Sequence, residues 1–520
     1  MAGGRATTAA ADQSSDDDGV LVHKQTMKTG SALDLLVLSF NCAATLIDVP
    51  VFAGHVRNAL ARNASELPEV VVLSLQEIAP LSYAFIGGDY FLKPYVDRFE
   101  EAVNLAASTP LSNGRGCDDA FDSSSSSPAA SPSSPSSRTD KPFTLIRSLN
   151  VGYTAIMLFA RDATRLKDIQ EAEVGFGAAE MGNKGAVGLR ALYEVDGEST
   201  ELTFVATHLA AMEWNLPRRN ANWGAIMRGL TFENPEEVLS QMRRDAEGGA
   251  EGDASEHSRL LREEQHQQDL RLQRQFHDLS VFKPSSHLFV AGDLNYRIST
   301  TSPTPKSAFP NMTPESKNHY THFLHLDQLT RERLAGRTLH GLSEHEINFP
   351  PTYKYVVDSK TRPSRAAGNP IDEVKWEFAP HRYPGWTDRI LFLELPSWIG
   401  GNMNIRAYDA LPVIRTSDHR PVFLRVDVPL VAPADLAPPA AVLESASAES
   451  GSPGGAGAWD PRVRLPVEID PEAWERRVAA RRREIAAGWT MFLWSTRQGA
   501  YILSTVLVAS VGGYWLYHSA

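Results

Sequence analysis

Cysteine is nearly absent from this 520-residue chain: only Cys42 and Cys117 occur, one in an apolar run and one in a polar loop. Two such residues make neither a disulfide framework nor a cysteine zinc site, and they fit a reducing, cytosol-facing compartment. A surplus of positive charge is also missing, since 51 Lys and Arg stand against 63 Asp and Glu for a formal net charge of −12. That balance argues against a dedicated nucleic-acid binder, which carries a basic surface. The N-terminus has no apolar signal-peptide core. Residues 1–30 mix Ala, Thr and Ser with Asp16-Asp17-Asp18 and read as a disordered tail.

Long hydrophobic runs are lacking as well, with one exception. Gly499 to Tyr517 holds no charged residue, and as a helix it is about 28 Å long, close to the hydrocarbon thickness of a bilayer. Trp489, Trp494, Tyr514, Trp515 and Tyr517 stand where interfacial aromatics are expected. Residues 470–487 read as a basic juxtamembrane helix, with Asp470 as N-cap, Pro471 at the first position, and Arg476, Arg477, Arg481, Arg482 and Arg483 facing the cytoplasm and anionic lipid. A tail-anchored membrane protein with its main domain in the cytosol is the expectation. Beyond Tyr517 only His518 is basic, which favours the endoplasmic reticulum over the mitochondrial outer membrane.

Between the tail and a domain over 31–428, residues 429–469 turn to Ala, Pro, Ser and Gly and predict a flexible linker. The roughly 60 residues from Val428 to the apolar segment would reach about 40 Å as a coil, enough to act on the chain's own membrane and on a closely apposed one. Inside the domain, about 108–141 is Ser- and Pro-rich and reads as a disordered insertion, and about 236–266 as a polar loop leading into a helix that ends near Leu279.

What the chain has in plenty is apolar runs that end in chemistry. Leu288-Phe289-Val290-Ala291 runs into Gly292-Asp293-Leu294-Asn295-Tyr296-Arg297; Leu35 to Leu38 runs into Ser39-Phe40-Asn41; Val70 to Leu75 into Gln76-Glu77; Thr203 to Thr207 into His208. Thr416-Ser417-Asp418-His419-Arg420 precedes the strand-like Pro421 to Val426. Runs of this length read as buried strands. Sites in sheets covered by helices gather at strand ends, so Asn41, Glu77, His208, Asp293, Asn295 and His419 read as one converging site. The bland alternative is a set of polar turns.

In order along the chain stand Gln76-Glu77-Ile78, Met181-Gly182-Asn183-Lys184-Gly185, Thr207-His208-Leu209 with Arg218-Arg219-Asn220, the Gly292 to Arg297 motif, Pro350-Pro351-Thr352-Tyr353-Lys354-Tyr355, Arg382-Tyr383-Pro384-Gly385-Trp386-Thr387-Asp388-Arg389 and Ser417-Asp418-His419-Arg420. With these motifs, Leu33 to Val428 resembles the inositol polyphosphate 5-phosphatases of the endonuclease/exonuclease/phosphatase superfamily. With its tail the chain resembles the fungal tail-anchored phosphatidylinositol 4,5-bisphosphate 5-phosphatases of the endoplasmic reticulum. Gly385, Thr387, His381 and Met212 depart from the family's usual residues, which bears on headgroup selectivity.

The resemblance implies an α/β fold, a DNase I-like four-layer sandwich of two packed mixed sheets flanked by helices, plus a C-terminal transmembrane helix. It implies a monomeric, Mg²⁺-dependent phosphoric monoester hydrolase that takes a phosphoinositide lipid and no nucleic acid. Glu77 with Asn41 would hold Mg²⁺, which prefers hard oxygen ligands. Asp293 would orient or deprotonate the attacking water, Asn295 and His208 hold phosphoryl oxygens, and His419 contact the phosphate with Asp388 fixing its tautomer. Lys184, Lys354, Arg382 and Arg389 are the headgroup candidates; Arg389 has a structural pairing beside Asp388 as its alternative. A nuclease or other phosphodiesterase of the superfamily, and a catalytically dead phosphoinositide-binding scaffold, are the rival readings.

Overall fold

The computed structural model describes residues 32–108, 141–247, 268, 270–358, 374–449 and 460–519. The two expected disordered segments, 1–30 and most of 108–141, therefore lie outside the described residues. Two six-stranded sheets form the centre. The first runs in the order β13-β14-β1-β2-β4-β3, with β1 Ala32–Asn41, β2 Val70–Gln76, β3 Thr144–Val151, β4 Thr154–Ala160, β13 Asn404–Ala410 and β14 Val422–Pro429. The second runs β5-β6-β7-β8-β12-β9, with β5 Leu166–Gly175, β6 Gly185–Val195, β7 Glu198–His208, β8 Ser286–Asp293, β9 Leu342–Ser343 and β12 Asp388–Leu393. Each sheet is mixed. It has one parallel pair, β1–β2 or β7–β8, and is antiparallel elsewhere. A separate hairpin pairs β10 Tyr355–Val357 with β11 Trp376–Phe378.

The central strands, such as β2, β4, β8 and β12, are buried on both faces because both faces are covered, whereas the edge strands β3 and β5 carry exposed polar residues. Along β1, Leu33, Leu35 and Val37 enter the core between the sheets, together with Phe204, Phe289 and Ala291 of the second sheet. The alternate residues Leu36, Leu38 and Phe40 pack outward against Phe52, Val56 and Leu60 of the helix Val49–Ala61 and Phe99 and Val103 of the helix Gly88–Ala107. The second sheet does the same, sending Leu288 and Val290 outward to Trp223, Ile226 and Met227 of the helix Leu216–Gly229. Those three residues share one helical face by their spacing. The result is helix, sheet, sheet, helix, the four-layer arrangement expected. The polar insertion departs from expectation at its start, where Pro235–Glu247 is a helix rather than a loop, with Glu236 and Glu237 favourably placed in its first turn.

The C-terminal segments depart further. Residues 429–449 hold two helices, Pro433–Leu436 and Ala440–Glu449, with Leu436 buried beside Trp398. Residues 460–469 lie against the domain. Arg462 is buried and donates to the carbonyls of Leu393 and Glu394, and the Pro461 carbonyl lies 2.8 Å from His277 Nε2. Apolar and hydrogen-bonding partners outweigh the loop-like composition here, so these residues are not a free coil. The helix expected at 470–487 runs over Ala473–Ser495 and packs on the domain, and the helix Arg497–Ser519, long and apolar enough to cross a membrane, follows with its side chains exposed.

Candidate active site

Strand register alone assembles most of the site. Gly185, His208, Asp293 and Asp388 are direct neighbours across β6, β7, β8 and β12, one row at the end of the second sheet. Asn41 and Gln76 close the parallel pair of the first sheet. Glu77 follows in left-handed backbone, φ 49°. Because the two sheets pack face to face, these two rows meet.

Asp293 is the meeting point. Its Oδ2 accepts from Asn41 Nδ2 at 3.1 Å and lies 3.3 Å from His208 Nε2 and 3.9 Å from His419 Nε2; its Oδ1 accepts from the Asn295 amide at 3.1 Å. Burial opposes its ionisation, yet His419, His208 and Lys184 hold its carboxyl well below the usual carboxylate range. Behind His419, Asp388 Oδ2 lies 2.8 Å from the ring Nδ1 and also accepts from Thr352 Oγ1 at 2.7 Å and Thr387 Oγ1 at 2.9 Å. Burial opposes charge on His419, but Asp388 and Asp293 outweigh it and raise its pKa to about 10. Burial, with Asp293 nearby, raises Asp388 as well. His419 thus turns Nδ1 to Asp388 and leaves Nε2 toward Asp293 and the site. The Tyr353 ring lies against His419 with centroids 4.5 Å apart.

His208 is held below its ordinary pKa by burial and by Lys184, whose ammonium contacts its Nε2. Burial pushes Lys184 itself down to about 8, against the pull of Asp293 and Glu77. Asn295 stands in left-handed backbone at φ 57°, donates to the Leu209 carbonyl at 3.2 Å and accepts from Arg297. Arg297 lies over the Tyr353 ring at 4.4 Å, which gives it a positioning place rather than a free anion clamp. Lys354 pairs with Asp418 at 2.5 Å, and Arg382 with Glu213 at 3.2 Å and Ser302 at 3.1 Å; both are partly exposed at the rim.

Arg389 does not join them. It is fully buried and bridges Asp327 at 2.9 Å and Glu344 at 2.5 Å, so it holds a structural ion pair and is not placed to reach a headgroup. Alternation explains the difference: Asp388 and Arg389 are adjacent in β12, so their side chains leave on opposite faces. The roles of Thr352 and Thr387 in holding Asp388 were not foreseen, although both sit in motifs already singled out.

For a hard divalent cation the donors fit. The Glu77 carboxylate is half-buried and makes no hydrogen bond or ion pair among the described residues, while its charge reaches Lys184 and His208. Asn41 adds a carboxamide oxygen that accepts only the Ala43 amide, at 3.1 Å. Asp293, Asp388 and His419 also bring potential ligand atoms within 4.8 Å of one another. Three donors occupy Asp388 Oδ2 while its Oδ1 is buried without a hydrogen-bond partner, so the cluster is a hydrogen-bonded dyad beside a carboxylate that keeps one free ligand oxygen.

Residues 38–425 match the model of endonuclease/exonuclease/phosphatase family 2, and the chain belongs to that family. Its relatives include the inositol-1,4,5-trisphosphate 5-phosphatase 1 of Schizosaccharomyces pombe, 27% identical over 55% of this chain and 20% of the relative. Synaptojanin of Caenorhabditis elegans is 28% identical over 54% of this chain and 19% of the relative. The human phosphatidylinositol 3,4,5-trisphosphate 5-phosphatase 2 is 27% identical over 52% and 17%. The chain thus spans about one fifth of the length of these relatives. Among solved structures, the inositol polyphosphate 5-phosphatase domain of a synaptojanin, in complex with inositol (1,4)-bisphosphate and calcium ion, aligns over 76% of this chain and 84% of that one with TM-score 0.48 and 22% identity.

Proposed function

We propose that the chain is a Mg²⁺-dependent phosphoinositide 5-phosphatase that removes the 5-phosphate of phosphatidylinositol 4,5-bisphosphate by attack of water. The observation that carries this reading is the buried Asp293 ringed by Asn41, His208 and His419, with Lys184, Lys354 and Arg382 on the surrounding loops. Relatives named as 5-phosphatases supply the substrate class.

In this reading Asp293 orients the water and accepts its proton. His419, kept charged by Asp388, donates Nε2–H to a phosphoryl oxygen as negative charge builds there. His208, held neutral, and Lys184 hold further phosphoryl oxygens, and Asn295 fixes the loop beside them. Lys354 and Arg382 take the remaining headgroup phosphate. Glu77 and Asn41 would hold Mg²⁺, which when bound polarises the scissile phosphate and stabilises the departing alkoxide. The apolar Arg497–Ser519 helix anchors the enzyme in its substrate's membrane, with the domain in the cytosol and the endoplasmic reticulum as the membrane. The enzyme works as a monomer.

The test is phosphate release from phosphatidylinositol 4,5-bisphosphate, soluble inositol phosphates and DNA, with Mg²⁺ and with chelator, by the full chain and its Asp293→Ala variant. Mg²⁺-dependent release from the lipid, lost in the variant, is expected. Release from DNA alone, or equal release by the variant, overturns the reading.

A further inference from the structure

The helix Ala473–Ser495 does more than join domain to tail. Glu484, fully buried on its inner face, accepts the backbone amide of Gly182 through Oε1 at 2.8 Å. The carboxylate is fixed in turn by a two-pronged pairing with Arg477, at 2.6 and 3.0 Å, and by Arg481 at 3.3 Å. Arg477 is tied at 2.9 Å to Glu173 of β5. Arg481 donates to the carbonyls of Phe85 and Ile86, and Arg483 to that of Ala179. Gly488 sits so close to Phe85 and Ile86 that an added Cβ would meet both at about 3 Å, and Phe492 packs on Tyr83 and Phe91. Of the five arginines expected at a lipid surface, Arg482, which is exposed, alone makes no hydrogen bond or ion pair among the described residues.

Gly182 lies two residues before Lys184, and its other backbone group is held as well, since its carbonyl accepts from the Tyr153 amide at 3.1 Å. A Cβ at Gly182 would come within 2.8 Å of Gly152 N and the Val151 carbonyl carbon, so the loop is pressed onto the β3–β4 turn with no room for a side chain. The Lys184 carbonyl accepts from Phe176 at 2.9 Å, and its ammonium reaches His208. One short loop therefore connects a carboxylate of the C-terminal helix to a cation of the site.

We propose that Glu484 is a positioning residue for the active site: by clamping the Gly182 amide it holds the 182–184 loop so that Lys184 meets His208 and the scissile phosphate. The C-terminal helix is then part of the catalytic scaffold, and the segment that leads into the apolar tail also sets the site. The part concerning phosphate rests on the proposed phosphatase activity.

Three variants of the full chain test it. Glu484→Ala should lower kcat/KM about tenfold to a hundredfold, the scale of a misplaced binding group. Glu484→Gln retains an oxygen at the same reach and should recover most of the loss. Glu484→Asp keeps the charge on Arg477 but withdraws from the amide and should not, which keeps the test open if the alanine variant fails to fold. Arg482→Ala should behave as wild type. In a Lys184→Met background Glu484→Ala should cost less than about twofold, because two residues acting through one contact are not additive. Acetylation of Lys184, read by mass spectrometry against the exposed Lys93, should rise in the Glu484→Asp variant and needs no turnover. If the wild type hydrolyses nothing, the phosphatase reading fails and the labelling alone decides the loop claim. Additive losses, or unchanged Lys184 labelling, overturn it.

Discussion

Asp388 and His419 are joined by a 2.8 Å contact from Oδ2 to Nδ1, and the same carboxylate oxygen is held by Thr352 and Thr387. This fixes which nitrogen of His419 faces Asp293. Asp388→Asn keeps the shape and removes the charge that sustains the imidazolium. We expect kcat to fall about a hundredfold or more, within the usual range for a positioned acid or base, with a much smaller change in KM. Steady-state kinetics beside a thermal melt check this; an unchanged kcat would refute the assignment.

Metal dependence should trace to Glu77. Glu77→Gln removes the charge of a carboxylate that has no hydrogen-bond or ion-pair partner among the described residues and should raise the Mg²⁺ concentration for half-maximal activity at least about tenfold. Far-UV circular dichroism should not change, since the side chain is half-buried and makes no hydrogen bond. A Mg²⁺ titration of phosphate release reads the effect.

Two groups of histidines should shape stability in opposite directions. The folded pKa of His419, about 10, lies above the unfolded value near 6.5. Its contribution is therefore fully present below pH 6.5 and is lost as pH rises toward 10. His55, at about 4 chiefly through burial, is held neutral without a hydrogen-bond partner, and His277 is similarly lowered to about 4 by burial. The folded state excludes their protons, so their contribution is present above pH 6.5 and is lost as pH falls toward 4. Urea unfolding from pH 4.5 to 9.5 should show both limbs, and His55→Leu should flatten the acid one. An acid limb that the variant leaves intact would rule out His55 as its source.

Arg389 should matter to folding and not to binding. Arg389→Met leaves Asp327 and Glu344 buried without their cation, a loss on the order of 3–5 kcal/mol. The fraction that remains folded should keep a near-normal KM. A KM raised more than severalfold in folded protein would place Arg389 at the headgroup instead.

Alkaline carbonate extraction tests the tail. The full chain should stay with membranes and a chain ending at Thr496 should be released; release of both would remove the anchor. The docked helix makes a further difference measurable. Because 460–495 pack on the domain, turnover on an apposed membrane should be low, and a flexible insertion after Ser495 should raise it.

The sequence by itself determined the strands and what stands at their ends. Apolar runs at 35–38, 70–75, 203–207 and 288–291 bury on both faces whatever lies around them, so Asn41, Glu77, His208 and Asp293 had to emerge at sheet edges. Only the tertiary structure decided which charged residues face the site. Arg389 and Asp388 are neighbours in the same motif, yet pleating sends one to a buried ion pair and the other to His419. The same holds at the C-terminus, where five arginines read locally as a membrane-facing face. The partners of Arg477, Arg481 and Arg483, which are Glu173, Glu484 and the carbonyls of Phe85, Ile86 and Ala179, lie mostly some 300 to 400 residues away and have no periodicity to announce them. Burial pattern is a local property of a chain and ion pairing across a fold is not, which is why the sequence located the site while folding joined the tail's helix to it.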